Sequence, residues 1–416
     1  MERYSSYKDS GISWIGEIPS HWEVKKIGSL FVERREKVSD KEYPALSVSK
    51  HGITPQLDTA VKTDNGDNRK KVCKNDFVVN SRSDRKGSCG VSPYTGSVSL
   101  INIVLSPRKN TEIEYFHHLF RSNDYIEEFY RIGRGIVADL WTTRYSEMRN
   151  IYIPLPPSDE QRTIVDYIGD KTSKIDAYVA DKEKEIELLQ ELKQKTIADA
   201  VTKGLNPDAK MKDSKTSLFG QIPYHWEERK MKYCFSERSE KNHPEEPILC
   251  ATQSQGVIPQ SMYQNRVVVV NKGFEGLKFV KAGDFVISLR SFEGGIEYAY
   301  YQGIISAAYT ILTPLNANNT DYFKFLFKSN PFIQVLQTCV TGIREGQNIN
   351  YQVLGRKFLP LPPSDEQQAI VTYIEEKCQK IDKLASELQS EIDYLKEYKQ
   401  RLIADCVTGQ VNVQNI

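Results

Sequence analysis

Apolar positions along the chain fall into two regimes, and the pair of regimes occurs twice. Over residues 158–203 and 364–408 they recur at helical intervals. In the first stretch Ile164, Ile168, Ile175, Val179, Ile186 and Leu189 stand mostly three, four or seven residues apart. In the second, Ile374, Cys378, Ile381, Ala385, Leu388, Ile392, Leu395 and Leu402 keep the alternation of three and four more strictly. Charged residues fill the remaining faces, so each stretch predicts one helix with a seam suited to another helix. Ahead of each stands Pro-Leu-Pro-Pro, which cannot be helical, then Ser158 or Ser364 as N-cap with Gln161 or Gln367 three residues on, the arrangement of a capping box. A run of about 40 residues makes a helix of roughly 60 Å, and a helix that long needs a partner. The economical partner is the other copy, packed antiparallel as a two-helix coiled coil; the rival is a helix of a second chain. The seam residues expected to pack are Ile168, Ile175, Val179, Ile186 and Leu189 with Ile381, Leu388, Ile392, Leu395 and Leu402.

Outside these helices the pattern shortens. Apolar runs at 77–79, 100–105, 266–270 and 285–289 are rich in β-branched and aromatic residues, are interrupted by Gly and Pro, and alternate with helical stretches such as 114–131. This predicts two mixed α/β modules, residues 1–157 and 217–363, each followed by its helix (158–203 and 364–408). Residues 204–216, polar with Gly and Pro, read as the linker.

The two halves are copies. Residues 13–23, Ser-Trp-Ile-Gly-Glu-Ile-Pro-Ser-His-Trp-Glu, return at 217–227 as Ser-Leu-Phe-Gly-Gln-Ile-Pro-Tyr-His-Trp-Glu, a shift of 204. Pro-Leu-Pro-Pro-Ser-Asp-Glu-Gln at 154–161 recurs unchanged at 360–367, a shift of 206, and the helix ends Ile-Ala-Asp-Ala-Val-Thr (197–202) and Ile-Ala-Asp-Cys-Val-Thr (403–408) match at the same shift. Between these anchors the module interiors share no recognisable sequence. Drift alone does not spare the frame and rewrite the content. The fold expected is therefore a pseudo-twofold tandem repeat, two globular α/β modules separated by two long antiparallel helices.

Charge follows the same division. The chain of 416 residues has a net charge of +1, but residues 1–157 hold 24 Lys and Arg against 20 Asp and Glu. Residues 208–363 hold 18 against 14, whereas 158–207 hold 8 against 11 and 364–416 hold 6 against 10. Basic modules alternate with acidic helices. No stretch approaches the roughly 20 apolar residues of a membrane span, and the start of the sequence lacks the apolar core of a signal peptide, so a cytoplasmic location is expected. The seven cysteines are odd in number and contain no Cys-x-x-Cys pair, which argues against a disulfide framework or a zinc site.

Motifs for catalysis are missing. The sequence has no G-x-x-x-x-G-K-[ST] phosphate loop and no G-x-G-x-x-G. Asn330-Pro331-Phe332 falls one residue short of the Asn/Asp-Pro-Pro-Tyr/Phe of amino-methylating DNA methyltransferases and reads as a turn into a helix. His21 and His225 occupy equivalent places in the repeated motif; they are expected to satisfy backbone groups while Trp22 and Trp226 enter the cores.

What remains is recognition. After the apolar runs come Arg82, Ser83, Arg85 and Lys86 in the first module and Arg290 and Ser291 in the second. Further on stand Arg134 and Arg144, and in the second module Arg344, Gln347, Asn348 and Asn350. Arginine pairs bidentately with guanine in the major groove, and Asn or Gln amides pair with adenine in the same way. A single such residue reads equally as solvated surface. Their recurrence at comparable places in both modules favours DNA.

The chain resembles the specificity subunits of type I restriction-modification systems, over essentially its full length. The resemblance rests on residues 14–23, on the doubled Pro-Leu-Pro-Pro-Ser-Asp-Glu-Gln, and on Ala200-Val201-Thr202-Lys203-Gly204-Leu205-Asn206-Pro207 leading into Lys212-Asp213-Ser214. It implies two target-recognition domains reading the halves of a split double-stranded DNA site, with the helices as spacer. It also implies two methyltransferase subunits and restriction subunits as partners, which carry S-adenosylmethionine, ATP and Mg; no cofactor, metal or catalysis is expected in this chain, and no membrane. Leu218-Phe219-Gly220-Gln221 departs from Trp-Ile-Gly-Glu in the second copy. Apolar surface meant for partners can make the isolated chain self-associate. Two other classes stay open at this point, a DNA-modifying or DNA-cutting enzyme with an unrecognised active site and a scaffold for protein assembly.

Overall fold

A computed structural model describes residues 2–57, 66–108, 111–135, 141–263, 273–316, 320–341 and 348–414. The chain divides into two compact units, Met1–Glu183 with Ser390–Ile416, and Lys184–Gln389. Each unit thus holds one module, the start of the long helix that follows it, and the end of the other long helix.

In the first unit a hairpin, Tyr7–Asp9 against Glu17–Pro19, opens the module, and Glu23–Lys26 paired with Tyr152–Leu155 closes it. The centre is a four-stranded antiparallel sheet in the order Cys89–Val91, Phe77–Asn80, Asn102–Pro107, Phe31–Glu33. Both faces are covered, which explains why the run 77–79 is apolar without interruption. Phe77, Val79, Ile103 and Leu105 pack with Phe31 and with Phe116, Leu119, Phe120 and Phe129 of the helices, while Val78 and Val104 face Leu46, Ile53, Val72 and Val98. The stretch 114–131 is two helices, Ile113–Leu119 and Asn123–Arg131, because the Ser122 hydroxyl takes the Leu119 carbonyl at 2.7 Å and the residue is extended. Of the run 100–105, only Asn102 onward is strand; Leu100 and Ile101 form the turn before it.

The second unit repeats this plan despite its different sequence. Its sheet runs Phe235–Arg238, Thr310–Pro314, Phe285–Ile287, Glu297–Tyr298. Phe285, Ile287 and Leu312 face one core and Val286 and Ile311 another. Ser329 breaks the helical region as Ser122 does, and Asn330-Pro331-Phe332 opens the helix Asn330–Gln337 with Phe332 fully buried. The run 266–270 lies outside the described residues. Part of the stretch read as linker is structural: Met211–Asp213 is a strand paired with Gln221–Pro223, the counterpart of the opening hairpin.

A buried ion pair recurs in both sheets. Arg34 holds Asp76 at 2.7 and 3.1 Å, and Arg238 holds Asp284 at 2.9 and 3.4 Å. Each carboxylate also accepts a backbone N–H, of Cys73 or Lys281.

The long helices span Ser158–Lys203 and Ser364–Val407. Each starts at its serine, directly after a proline. The expected capping box does not form, because Pro157 and Pro363, not the serines, take the cap position: their carbonyls accept the Gln161 and Gln367 N–H at 2.9 Å, and the glutamine side chains donate to the carbonyls of Pro156 and Pro362 at 2.8 Å. Within the first unit Asp176 pairs with Lys399 and Glu183 with Lys396, so the helical stretches there run antiparallel. Within the second, Lys193 pairs with Asp382. Of the seam residues, Ile168, Val179, Leu388, Ile392 and Leu402 are buried, and Ile175, Ile186, Leu189, Ile381 and Leu395 are half-buried.

The duplicated motifs meet at the helix ends. His21 and His225 bond the Glu160 and Glu366 carboxylates at 2.8 Å, which corrects the expectation of a backbone partner: both glutamates sit in the first turn of a helix, where a negative charge is favoured. The same corner receives the end of the other helix. Gly409 (φ +78) follows the second helix in the first unit, where an added Cβ would lie 2.4 Å from Pro19 and 3.1 Å from Trp22; Gly204 (φ +71) does the same beside Trp226 in the second. Left-handed backbone and close approach to a ring both require glycine here. Tyr115 and Tyr322 complete the junctions by donating to Val407 and Val201 carbonyls at 2.8 and 2.9 Å.

Candidate nucleic-acid interface

The sheet register fixes which loops correspond. Phe77 and Phe285 face Leu105 and Leu312 in their sheets, and Arg82 and Arg290 each lie five residues beyond those phenylalanines. Likewise Arg144 and Asn350 both precede a one-turn helix, Tyr145–Met148 and Tyr351–Leu354.

In the first module these segments converge. Thr142 forms bridges with both Arg82 and Arg134, exchanging two backbone hydrogen bonds of 3.0 Å with the latter. Ser83 donates from its backbone to Trp141, Thr143 to Ser81, and the Ser81 hydroxyl donates to the Ile101 carbonyl at 2.6 Å. Segments 81–83, 100–101, 134 and 141–146 therefore form one surface. A cleft of about 530 Å³ opens there, lined by Leu100, Ile101, Thr142, Thr143, Arg144, Tyr145, Glu33, Arg35, Lys37 and Lys70, among others. Four cations face one carboxylate, and Arg35 and Lys70 already hold that carboxylate, Glu33, at 2.7 and 3.1 Å. The hydrogen bond to Glu33 raises the Arg35 pKa further.

Arg82 pairs with Asp84 at 2.9 Å, Arg85 lies 3.7 Å from the same carboxylate, and Arg134 lies 3.7 Å from Glu147. Arg85 and Arg134 are largely exposed and Arg82 partly so; pairs of this kind are weak and exchange readily for phosphate. Lys86, exposed and outside the lining of the cleft, pairs with Glu127 at 2.9 Å.

The second module corrects two expectations. Ser291 is buried, and its hydroxyl accepts the Ser288 N–H at 2.8 Å, closing the turn from Ser288 that carries Arg290; it has no route to a ligand. Asn350 is half-buried, and its side-chain oxygen accepts from Gln352 and Val353 N–H at 3.0 and 3.3 Å, so it caps a helix and cannot give adenine the bidentate pair. Arg290 and Asn348 are exposed, whereas Arg344 and Gln347 lie outside the described residues.

Sequence reasoning missed Arg35, Lys37 and Lys70. In the run Glu-Arg-Arg-Glu-Lys at 33–37 they look like ordinary solvated charge; only the pairing of Lys37–Val38 with Arg69–Val72 brings them to the cleft. Among the described residues no three His, Cys, Asp or Glu side chains gather as a metal site would need, and no helix is long and apolar enough to cross a membrane. All seven cysteines are free thiols, six of them buried.

Two modules of one topology, each closed by the ends of long helices and carrying an arginine at a shared register, form a tandem repeat. Residues 19–188 match the profile of the type I restriction modification DNA specificity domain. Along 429 aligned residues the chain is 25% identical to the putative type I restriction enzyme MjaX specificity subunit of Methanocaldococcus jannaschii, covering 96% of both. It is 24% identical to the MjaVIII specificity subunit of the same organism, over 96% of this chain and 95% of that one. With the EcoKI specificity subunit of Escherichia coli identity is 20%, over 83% and 76%. The fold is shared with the HsdS subunit of Thermoanaerobacter tengcongensis (TM-score 0.52, 18% identity, 95% and 98% coverage). It is also shared with a chain from a structure of type I R-M complex assembly and conformational transition (TM-score 0.68, 16% identity, 95% and 99%). Along nearly its whole length the chain is thus similar in sequence to type I restriction enzyme specificity subunits, and it shares the fold of an HsdS subunit.

Proposed function

We propose that each module reads one half of a bipartite double-stranded DNA site through the major groove, and that the two long helices fix the number of unread base pairs between the halves. The observation that carries this reading is the pairing of a constant frame with variable content. The helix junctions recur nearly residue for residue, yet the same register presents Leu100, Ile101 and Arg144 in one module and Ala307, Ala308 and Asn350 in the other. Two halves of unlike sequence need such a pair of readers. The first module, residues 1–157, and the second, residues 217–363, act as target-recognition domains. Arg82, Arg85, Arg134 and Arg144, with Arg290 and Asn348, are the side chains placed to meet DNA, and the cations of the cleft neutralise phosphates.

The chain itself supplies recognition and no catalysis. Two methyltransferase subunits bring S-adenosylmethionine, restriction subunits bring ATP and Mg, and the complex works in the cytoplasm. Exchanging residues 1–157 for a foreign module and mapping methylated adenines genome-wide tests this. One half of the recognised site should change and the other remain; alteration of both halves refutes independent readers.

A further inference from the structure

We infer that Leu100 and Ile101 are the thymine readers of the first module, packing against the C5-methyl group that thymine projects into the major groove. The inference rests on the reading of the modules as DNA readers. Both side chains stand in the turn before the strand Asn102–Pro107, 40% and 38% exposed, on the wall of the cleft that also carries Arg144, Lys37 and Lys70. Neither belongs to a hydrophobic cluster of its unit.

The fold does not require them. Leu105 and Leu312 hold the same place in the two sheets, facing Glu33 and Glu237, and five residues earlier the second module has Ala307 and Ala308, both exposed. That strand forms and pairs without a large apolar side chain in its turn. The first module therefore keeps a Leu-Ile pair in water for a reason outside its own stability. Its surroundings name the occupant: an apolar protein partner gains nothing from a net positive cleft, whereas duplex DNA offers phosphates to the cations and a methyl group at the base edge. The turn is also held still. Ser81 donates its hydroxyl to the Ile101 carbonyl and accepts the Thr143 N–H on its own carbonyl, which ties the pair to the segment bearing Arg144.

The test uses the full chain assembled with its methyltransferase subunits and duplexes carrying its mapped site. Each thymine in the half read by the first module is replaced in turn by deoxyuridine, which removes the methyl group and nothing else. At one or more positions affinity should fall about fourfold, the worth of about one buried methyl. The variant Leu100→Ala/Ile101→Ala, which installs the residues of the second module, should bind thymine and uracil duplexes alike in that half while leaving the other half as it was. A wild-type complex indifferent to every uracil, as expected if the pair were a wedge between minor-groove base steps, overturns the inference, as does a variant that keeps the penalty. A complex that binds no duplex at all overturns the underlying reading as well.

Discussion

The junction where module meets helix gives a prediction that identical sequence alone would not. Glu160 is nearly buried and accepts three side-chain donors, Tyr4 at 2.6 Å, His21 at 2.8 Å and Trp22 at 3.1 Å. Burial and the adjoining carboxylate both raise the Tyr4 pKa, so its phenol remains a donor. Glu366 carries the same neighbours in sequence, but Asp208 stands at the position of Tyr4, and the Trp226 indole N–H is buried without a partner. His225 is the side chain bonded to Glu366, and both are partly exposed. Glu160→Ala leaves the tyrosine and tryptophan donors buried and unpaired, at about 1–3 kcal/mol each, and removes a favourable charge from a helix start. The expected loss is about 3–5 kcal/mol in the first unit, against about 1 kcal/mol for Glu366→Ala in the second. Hydrogen exchange on the full chain resolves the two units separately, which a global melt of two units does not. Amides at the start of the first helix should exchange about a hundredfold to five-thousandfold faster in Glu160→Ala, and those of the second about fivefold faster in Glu366→Ala. Equal effects would refute the argument that donors, rather than the motif itself, set the energy.

The two units should also respond oppositely to pH. Burial depresses His117 to about 3 and His118 to about 4, and His117 accepts the Val91 N–H, as only a neutral ring can. Between about pH 6.5 and about pH 4 the unfolded chain takes up protons that the folded unit refuses, so the first unit loses up to about 1.4 kcal/mol per pH unit for each ring as pH falls. Burial raises Glu297 to about 7, with Lys328 opposing, so the second unit keeps a proton that the unfolded chain releases and loses stability as pH rises from about 4.5 through 7. Limited proteolysis at about pH 5 and about pH 8 with mapping of the fragments checks this, and a shift of both units in one direction contradicts it. At the interface, Arg144→Ala should weaken binding by about tenfold to a hundredfold and relax the preference at one base of its half-site, whereas Lys86→Ala, outside the lining of the cleft, should change affinity less than about twofold and leave base preference as it was. Gel shifts with every single-base variant of the site measure both, and equal losses from the two variants count against the cleft.

The helices were the most legible part of the sequence, because a 3.6-residue period sustained across about 40 residues admits few other structures. The duplicated motifs were legible as anchors, but not their bonds: whether a histidine meets a backbone group or a carboxylate depends on a glutamate 139 residues away from His21. The capping box failed because the preceding residue is proline, a local fact outweighing a local pattern. Ser291 and Asn350 show why polar loop residues mislead. An oxygen able to bind a base binds a nearby backbone N–H equally well, and spacing does not distinguish the two. The common plan of the module interiors was invisible for another reason. Arg34 and Arg238 are separated by 204 residues but Asp76 and Asp284 by 208, so no single shift aligns the pair that both sheets share.

The most direct test of two readers on a fixed spacer is to insert four helical residues into the middle of each long helix and map the methylated site. Four residues add about 6 Å, so the unread gap should lengthen by about two base pairs while both half-site sequences stay the same. An unchanged gap, or an altered half-site, would contradict the division of labour between modules and helices.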